Sequence, residues 1–223
     1  MIRNFNEFCA ELLKAGFSIA GADNDEGIFG LLDSRMHWHT GDPDTDPWEW
    51  RMRVLDERDD ISYSKVFFRK AGYITKEWYP YFLATRRKGL NFDETYADGV
   101  ISHEAKRIYE VLREGVPVSL HALKQFAKFG KEDKSKFERG LVELQMRLFI
   151  TMCGREQKLS QNGETYGWSS TVFCTTEQFW SSDVFEKSAE ISIDEAEEAI
   201  TTRVYQLNPN AEKSKLKKFI YGR

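Results

Sequence analysis

The chain has 223 residues, of which 41% are hydrophobic, 14% aromatic and 30% charged, a composition that excludes intrinsic disorder and allows one large domain or two small ones. No apolar run reaches the roughly 18 residues that a membrane span needs. The net charge of −4 excludes a uniformly basic polyanion binder but is unevenly spread, with 12 basic and 9 acidic side chains over residues 103–174. The opening MIRNFNEF has no apolar run of the kind that marks a signal peptide. Three cysteines, Cys9, Cys153 and Cys174, include no Cys-x-x-Cys pair and read as reduced thiols in a cytosolic compartment.

In chain order, Asn4 reads as the N-cap of a first helix with Glu7 at the capping-box position. Phe5, Phe8, Cys9, Leu12 and Leu13 form its apolar face, and Gly16 ends it. Residues 17–40 are rich in Gly and Asp and predict irregular structure around a short apolar run at 28–32. Asp46 as N-cap, Pro47 at N1 and Glu49 at N3 open a second helix running to about residue 58. The next stretch, 61–88, holds eight aromatic rings and seven basic residues against one acid, Glu77. Its pattern predicts one helix ending near Lys70 and another over 75–88 capped by Thr75. Phe67, Phe68, Tyr73, Ile74, Trp78 and Phe82 read as core at helical spacing, with Lys and Arg stems lying over them. The cations Arg69, Lys70, Arg86, Arg87 and Lys88 are separable from the rings and read as a phosphate track. Residues 89–99 read as a loop.

The block from 101 to 175 is the most legible. Ser102 caps a helix over 103–114 stopped by Gly115, Ser119 caps a short helix to 127, and Asp133 caps a third over 134–147. Two β-prone runs follow, 148–155 and 165–174, joined by a segment containing Asn162-Gly163, a strong hairpin signal. Three helices and a long-tipped hairpin form the winged helix-turn-helix pattern. In that fold the third helix meets the major groove of DNA, so Lys134, Ser135, Lys136 and Arg139 become candidate contacts, with Arg139 able to reach guanine. Arg155, Lys158, Gln161 and Asn162 decorate the wing. Glu132, Asp133 and Glu138 dilute this positive face, and use of the fold in protein–protein contact is the competing reading. Residues 177–223 read as two or three helices with a basic tail.

Chemistry is harder to place. His37 and His39 beside Asp42, Asp44 and Asp46 have the donor types of a zinc or iron site, yet the aspartates are explained as turn formers and a helix cap, and no metal or other cofactor is assigned. Trp38 is eligible as a wedge into a duplex. His103 and His121 lie in the winged helix without a nucleophile partner. Asp42, Asp44, Asp46 and Glu77 suit glycosyl-bond hydrolysis by residue type only, so no catalytic residue is named.

The run from Phe67 through Ala71 and Glu77 to Pro80 resembles a segment of the AlkZ/YcaQ-type winged-helix DNA glycosylases, as does Phe137-Glu-Arg-Gly-Leu-Val-Glu-Leu-Gln145 with its wing strand. Across most of the chain, Asp46-Pro-Trp-Glu-Trp50, the Phe-Phe/Lys-Ala-Gly element and Trp78-Tyr-Pro-Tyr-Phe82 resemble bacterial AlkZ-related proteins more closely. The resemblance implies tandem winged helices and action on alkylated or crosslinked DNA. The glycosylases' Gln-x-Gln or Gln-x-Asp catalytic pair has no match here beyond the distant Asn4-Phe-Asn6. Their Trp and His align with Phe67 and Arg69, and their chains are longer.

The expected fold is mainly α with a small β wing (α+β). Residues 1–100 form a helical N-terminal region, a possible degenerate second winged helix; 101–175 form the winged helix; 176–223 form a helical extension. The expected function is contact with duplex or damaged DNA, the alternatives being an active glycosylase on alkylated or crosslinked bases and a non-catalytic protein-binding module. DNA is the expected partner, with no membrane and no small-molecule cofactor.

Overall fold

The computed structural model describes residues 2–22, 26–32, 35–157 and 169–222. Helix α1 (Phe5–Ala15) starts where Asn4 Oδ1 accepts the N–H of Glu7 at 2.9 Å, and Gly16 at φ 94° closes it. A short strand β1 (Phe17–Ile19) follows at once. Helix α2 (Pro47–Glu57) opens as its sequence predicts: the buried Asp46 carboxylate accepts the N–H groups of Trp48 and His39, with Pro47 in the first turn.

The 61–88 stretch departs from expectation. It folds as a β-hairpin, β2 (Ile61–Phe67) and β3 (Lys70–Thr75), before helix α3 (Tyr79–Arg87). Thr75 ends β3 instead of capping a helix, and Trp78 precedes the first turn of α3. Two physical features hide this hairpin. Six of the seven residues of β2 are buried on one face or the other, so the alternation that marks a half-buried strand is missing. The two-residue turn is Phe68-Arg69, both in the left-handed region at φ 50° and 64°, where Asn-Gly is the usual signal and L side chains cost about 1 kcal/mol each.

Residues 89–99 are not all loop: helix α4 (Phe92–Ala97) carries a complete capping box from Asn91 and Glu94. Beyond it come α5 (His103–Leu112), α6 (Leu120–Phe126), α7 (Lys134–Met146), β5 (Ile150–Glu156) and β6 (Ser170–Thr175) in the predicted order, with a short unpredicted strand β4 (Val118–Ser119) before α6. The expected hairpin tip at Lys158, Gln161 and Asn162 lies outside the described residues. The C-terminal part holds four helices where two or three were expected: α8 (Thr176–Phe179), α9 (Ser182–Glu190), α10 (Ile193–Leu207) and α11 (Lys213–Tyr221).

The β content exceeds a small wing, making the protein a mixed α and β fold. The six strands among the described residues join one antiparallel sheet ordered β1-β3-β2-β5-β6-β4. That order is symmetric about its centre. In the first half the third strand in sequence sits between the first and second, and the second half repeats this arrangement. The halves meet where β2 pairs β5, at Tyr63 opposite Met152. The C-terminal helices return to the first half: Trp180, Val184, Ile200, Val204, Phe219 and Ile220 share a core with Phe17, Phe67 and Phe82. Phe67 stacks on Phe219 with ring centroids 4.2 Å apart, and burial of each such ring stabilises the fold by about 2–3 kcal/mol. A second core lies under α5–α7 around Ile108, Leu112, Leu123, Leu144 and Phe149, and a third joins α1 to α2 and the β2–β3 hairpin through Phe8, Leu12, Trp50, Tyr63 and Tyr73.

Candidate nucleic-acid interface

The two halves of the sheet bring separate parts of the chain to a common groove of about 730 Å³. One wall is α7, through Lys134, Ser135, Glu138, Arg139 and Val142. The opposite wall carries Lys65 from β2 and Arg69 from the hairpin turn, while Leu120, His121 and Lys124 of α6 and Ser169–Thr171 beside β6 complete the lining. Leu141, Met152 and Phe173 supply apolar floor.

Local structure explains why cations project here. Lys65 is the one exposed residue of β2. Phe137, Gly140, Leu141 and Leu144 bury one face of α7, which leaves Lys134, Ser135, Glu138 and Arg139 exposed. Gly140 permits the tight crossing with α5, since a Cβ there would stand 2.9 Å from the backbone nitrogen of Ala105.

Two buried polar residues fix the walls relative to each other. Gln145 of α7 accepts the Ser64 hydroxyl at 2.8 Å and the Lys65 N–H at 3.0 Å, and donates to the Leu141 carbonyl at 2.9 Å. Arg86 donates to the carbonyls of Val66 and Met146, both at 2.8 Å, and to those of Phe219 (2.8 Å) and Ile220 (2.9 Å). Its guanidinium thus joins the hairpin, the end of α7 and helix α11. Burial pushes Arg86 down to about 9, still charged at neutral pH.

The predicted cations separate accordingly. Arg69, Lys134, Ser135 and Arg139 line the groove. Among the described residues, Arg69 and Arg139 have no carboxylate partner within ion-pair distance, whereas Lys134 stands 3.9 Å from Glu138 with both side chains exposed. Such exposed pairs contribute little and yield readily to a competing anion. Lys136 pairs with Asp133 at 3.3 Å. Lys70 pairs with Glu26 and lines a smaller cavity with Ile19, Gly21 and Phe67. Arg155 pairs with Asp56 at 2.9 Å and faces the other side of β6. The expected surface track through 86–88 does not form as such. Arg86 is buried, and so is Arg87, which holds Glu177 at 2.5 Å, Thr176 at 2.6 Å and the Leu148 carbonyl; only Lys88 is exposed. These two arginines end an amphipathic-looking helix whose outer side is covered by α8–α11, which sequence spacing does not reveal. Lys158 lies outside the described residues. Sequence reasoning passed over Lys65 and Lys124 as contacts; their signal is the one charged residue of β2 and a place in the net-basic block.

The acidic loop is otherwise engaged. Asp44 pairs with Arg53 at 3.2 Å, Asp42 accepts the Asp44 N–H at 3.0 Å, and Asp46 caps α2. His39 leans on Trp48 with rings 5.4 Å apart. No group of three or more His, Cys, Asp or Glu residues gathers to hold a metal among the described residues, and Glu77 lies in a separate cavity with Lys14 and Arg203. Among the described residues no helix is long and apolar enough to cross a membrane.

The sequence matches the family model described as AlkZ related over residues 2–221. A search of curated proteins finds no match. Among solved structures, the Streptomyces sahachiroi DNA glycosylase AlkZ is similar at 15% identity and a TM-score of 0.39, over 78% of this chain and 50% of that one. The chain thus spans half the length of that glycosylase.

Proposed function

The chain belongs to the AlkZ-related family, and from that premise we propose that it binds duplex DNA through the groove between α7 and the β2–β3 hairpin. In this reading the unit α5–β4–α6–α7–β5–β6 is a winged helix, spanning about 101–175, with α7 as the helix that meets the duplex. The first half is a degenerate second winged helix, as the mirrored strand order supports. Residues 176–223 are the helical extension that braces it.

The observation that carries the proposal is convergence. Lys65 and Arg69 from one half, and Lys124, Lys134 and Arg139 from the other, line one groove although the chain as a whole is acidic. Their guanidinium and ammonium groups, of which only Lys134 has a carboxylate partner among the described residues, are positioned to replace the counterions of a phosphate backbone. The apolar floor and the hydroxyls of Ser135, Ser170 and Thr171 add non-ionic contact. The experiment is titration of a fluorescein-labelled 20-base-pair duplex, followed by anisotropy at 50–200 mM salt. Saturable binding that weakens in Lys65→Ala, Lys124→Ala and Arg139→Ala supports the proposal; absence of binding at 50 mM salt refutes it.

A further inference from the structure

The hairpin turn Phe68-Arg69 raises a question the fold alone does not answer. Two consecutive non-glycine residues occupy the left-handed region, and such strain persists where surrounding structure or function requires it. Phe68 has a structural reason: its ring packs into the first core, 6.2 Å from Phe219. The backbone of Arg69 has one too, its N–H donating to Met146 Sδ at 3.4 Å. The Arg69 side chain has none. It is exposed, and among the described residues its guanidinium has no hydrogen bond, carboxylate or ring.

Arg69 does have a neighbour of the same kind. It lines both the main groove and an adjoining hollow of about 310 Å³ beside Val142, Met146 and Gly222, and Arg139 lines the same two cavities. The carboxylates nearby are committed elsewhere. Glu143 accepts the Ser102 hydroxyl at 2.6 Å and its N–H at 3.1 Å, and lies 3.8 Å from Arg147; Glu138 faces Lys134. Two like-charged guanidinium forks on one cavity repel each other unless an anion sits between them, and their planar donors match phosphate oxygens.

We propose that Arg69 and Arg139 are the two jaws of a clamp for a single backbone phosphate, with the strained turn holding Arg69 at the position the clamp needs. The proposal rests on the DNA-binding reading and sharpens it to one ligand atom group and two residues.

The test separates stability from affinity. Arg69→Asn places a residue tolerant of the left-handed region at the turn, so its thermal midpoint is expected to equal or exceed that of the parent. Its duplex affinity at 100 mM salt is expected to fall at least tenfold, with the logarithmic salt slope reduced by about 1. Arg69→Lys is expected to keep the salt slope while losing part of the affinity, because one ammonium cannot bind bidentately. In a double-mutant cycle with Arg139→Ala, the second substitution is expected to cost at least threefold less once the first is present. Unchanged affinity in Arg69→Asn, or strictly additive effects, overturns the clamp. If Lys65→Ala and Lys124→Ala still weaken binding in that event, the DNA-binding reading stands without it; if the parent binds no duplex at all, both fall together.

Discussion

Replacing Arg86 by Met removes the guanidinium that joins the hairpin, α7 and α11 while roughly filling its space. Thr85 Oγ1 still reaches the Ile220 carbonyl at 3.3 Å, but the carbonyls of Val66, Met146 and Phe219 lose a charged donor held at 2.8 Å. A buried acceptor deprived of its partner costs about 1–3 kcal/mol. Three of them set a loss of about 3–9 kcal/mol, brought down to about 3–6 because a buried charge no longer has to be desolvated. At about 2–4 °C per kcal/mol for a chain of this size, the thermal midpoint drops by about 6–24 °C. Urea denaturation with paired circular dichroism and tryptophan fluorescence reads the change directly. Arg86→Lys recovers only part, since three donors on one nitrogen cannot span four separated carbonyls. A loss below about 1 kcal/mol in Arg86→Met, or a raised midpoint, would refute the assignment of Arg86 as the joint between the groove walls.

Further consequences are equally open to measurement. Gly140→Ala gains about 1 kcal/mol of helix propensity but drives a Cβ to 2.9 Å from Ala105 and 3.1 Å from Glu104 backbone atoms. A net loss of about 1–2 kcal/mol in urea denaturation is expected. Gln145→Leu strips the Ser64 hydroxyl and the Lys65 N–H of their acceptor and is expected to cost about 2–3 kcal/mol, with hydrogen exchange at Lys65 rising. Of the three thiols, Cys153 is only partly buried and held below its usual range by a hydrogen bond from Cys174, whereas Cys9 and Cys174 are buried and burial pushes Cys9 up to about 11. Brief iodoacetamide treatment of the native protein at pH 8 should therefore label Cys153 first, as peptide mass spectrometry would show.

How far the fold was readable from sequence depended on how local its causes are. Asn4, Asp46 and Ser102 begin helices through hydrogen bonds within three residues, so those helices were legible. The Asn91–Glu94 capping box carried the same kind of signal and was passed over among turn-forming neighbours. The β2–β3 hairpin was illegible because both faces are buried and its turn is Phe-Arg. Its partner is β5, about 90 residues on, and no local pattern encodes that pairing. The cations divided in the same way. Exposure of Lys134 and Arg139 follows from the apolar stripe of α7 itself, whereas burial of Arg86 and Arg87 is imposed by helices near the far end of the chain. Arg69 was singled out by residue type and composition, but its place opposite α7 arises only when the two halves of the sheet join.

The claim that cations from two halves of the chain serve one phosphate backbone is tested most directly by the salt dependence of duplex binding. Three phosphates, one held by Arg69 and Arg139 together and one each by Lys65 and Lys124, predict a slope of log affinity against log salt of about −2.7, a loss of roughly fortyfold between 50 and 200 mM. Replacing Arg69 and Arg139 together by Ala is predicted to flatten that slope to about −1.8. A slope near zero in the parent protein, or the same slope after the double replacement, would contradict it.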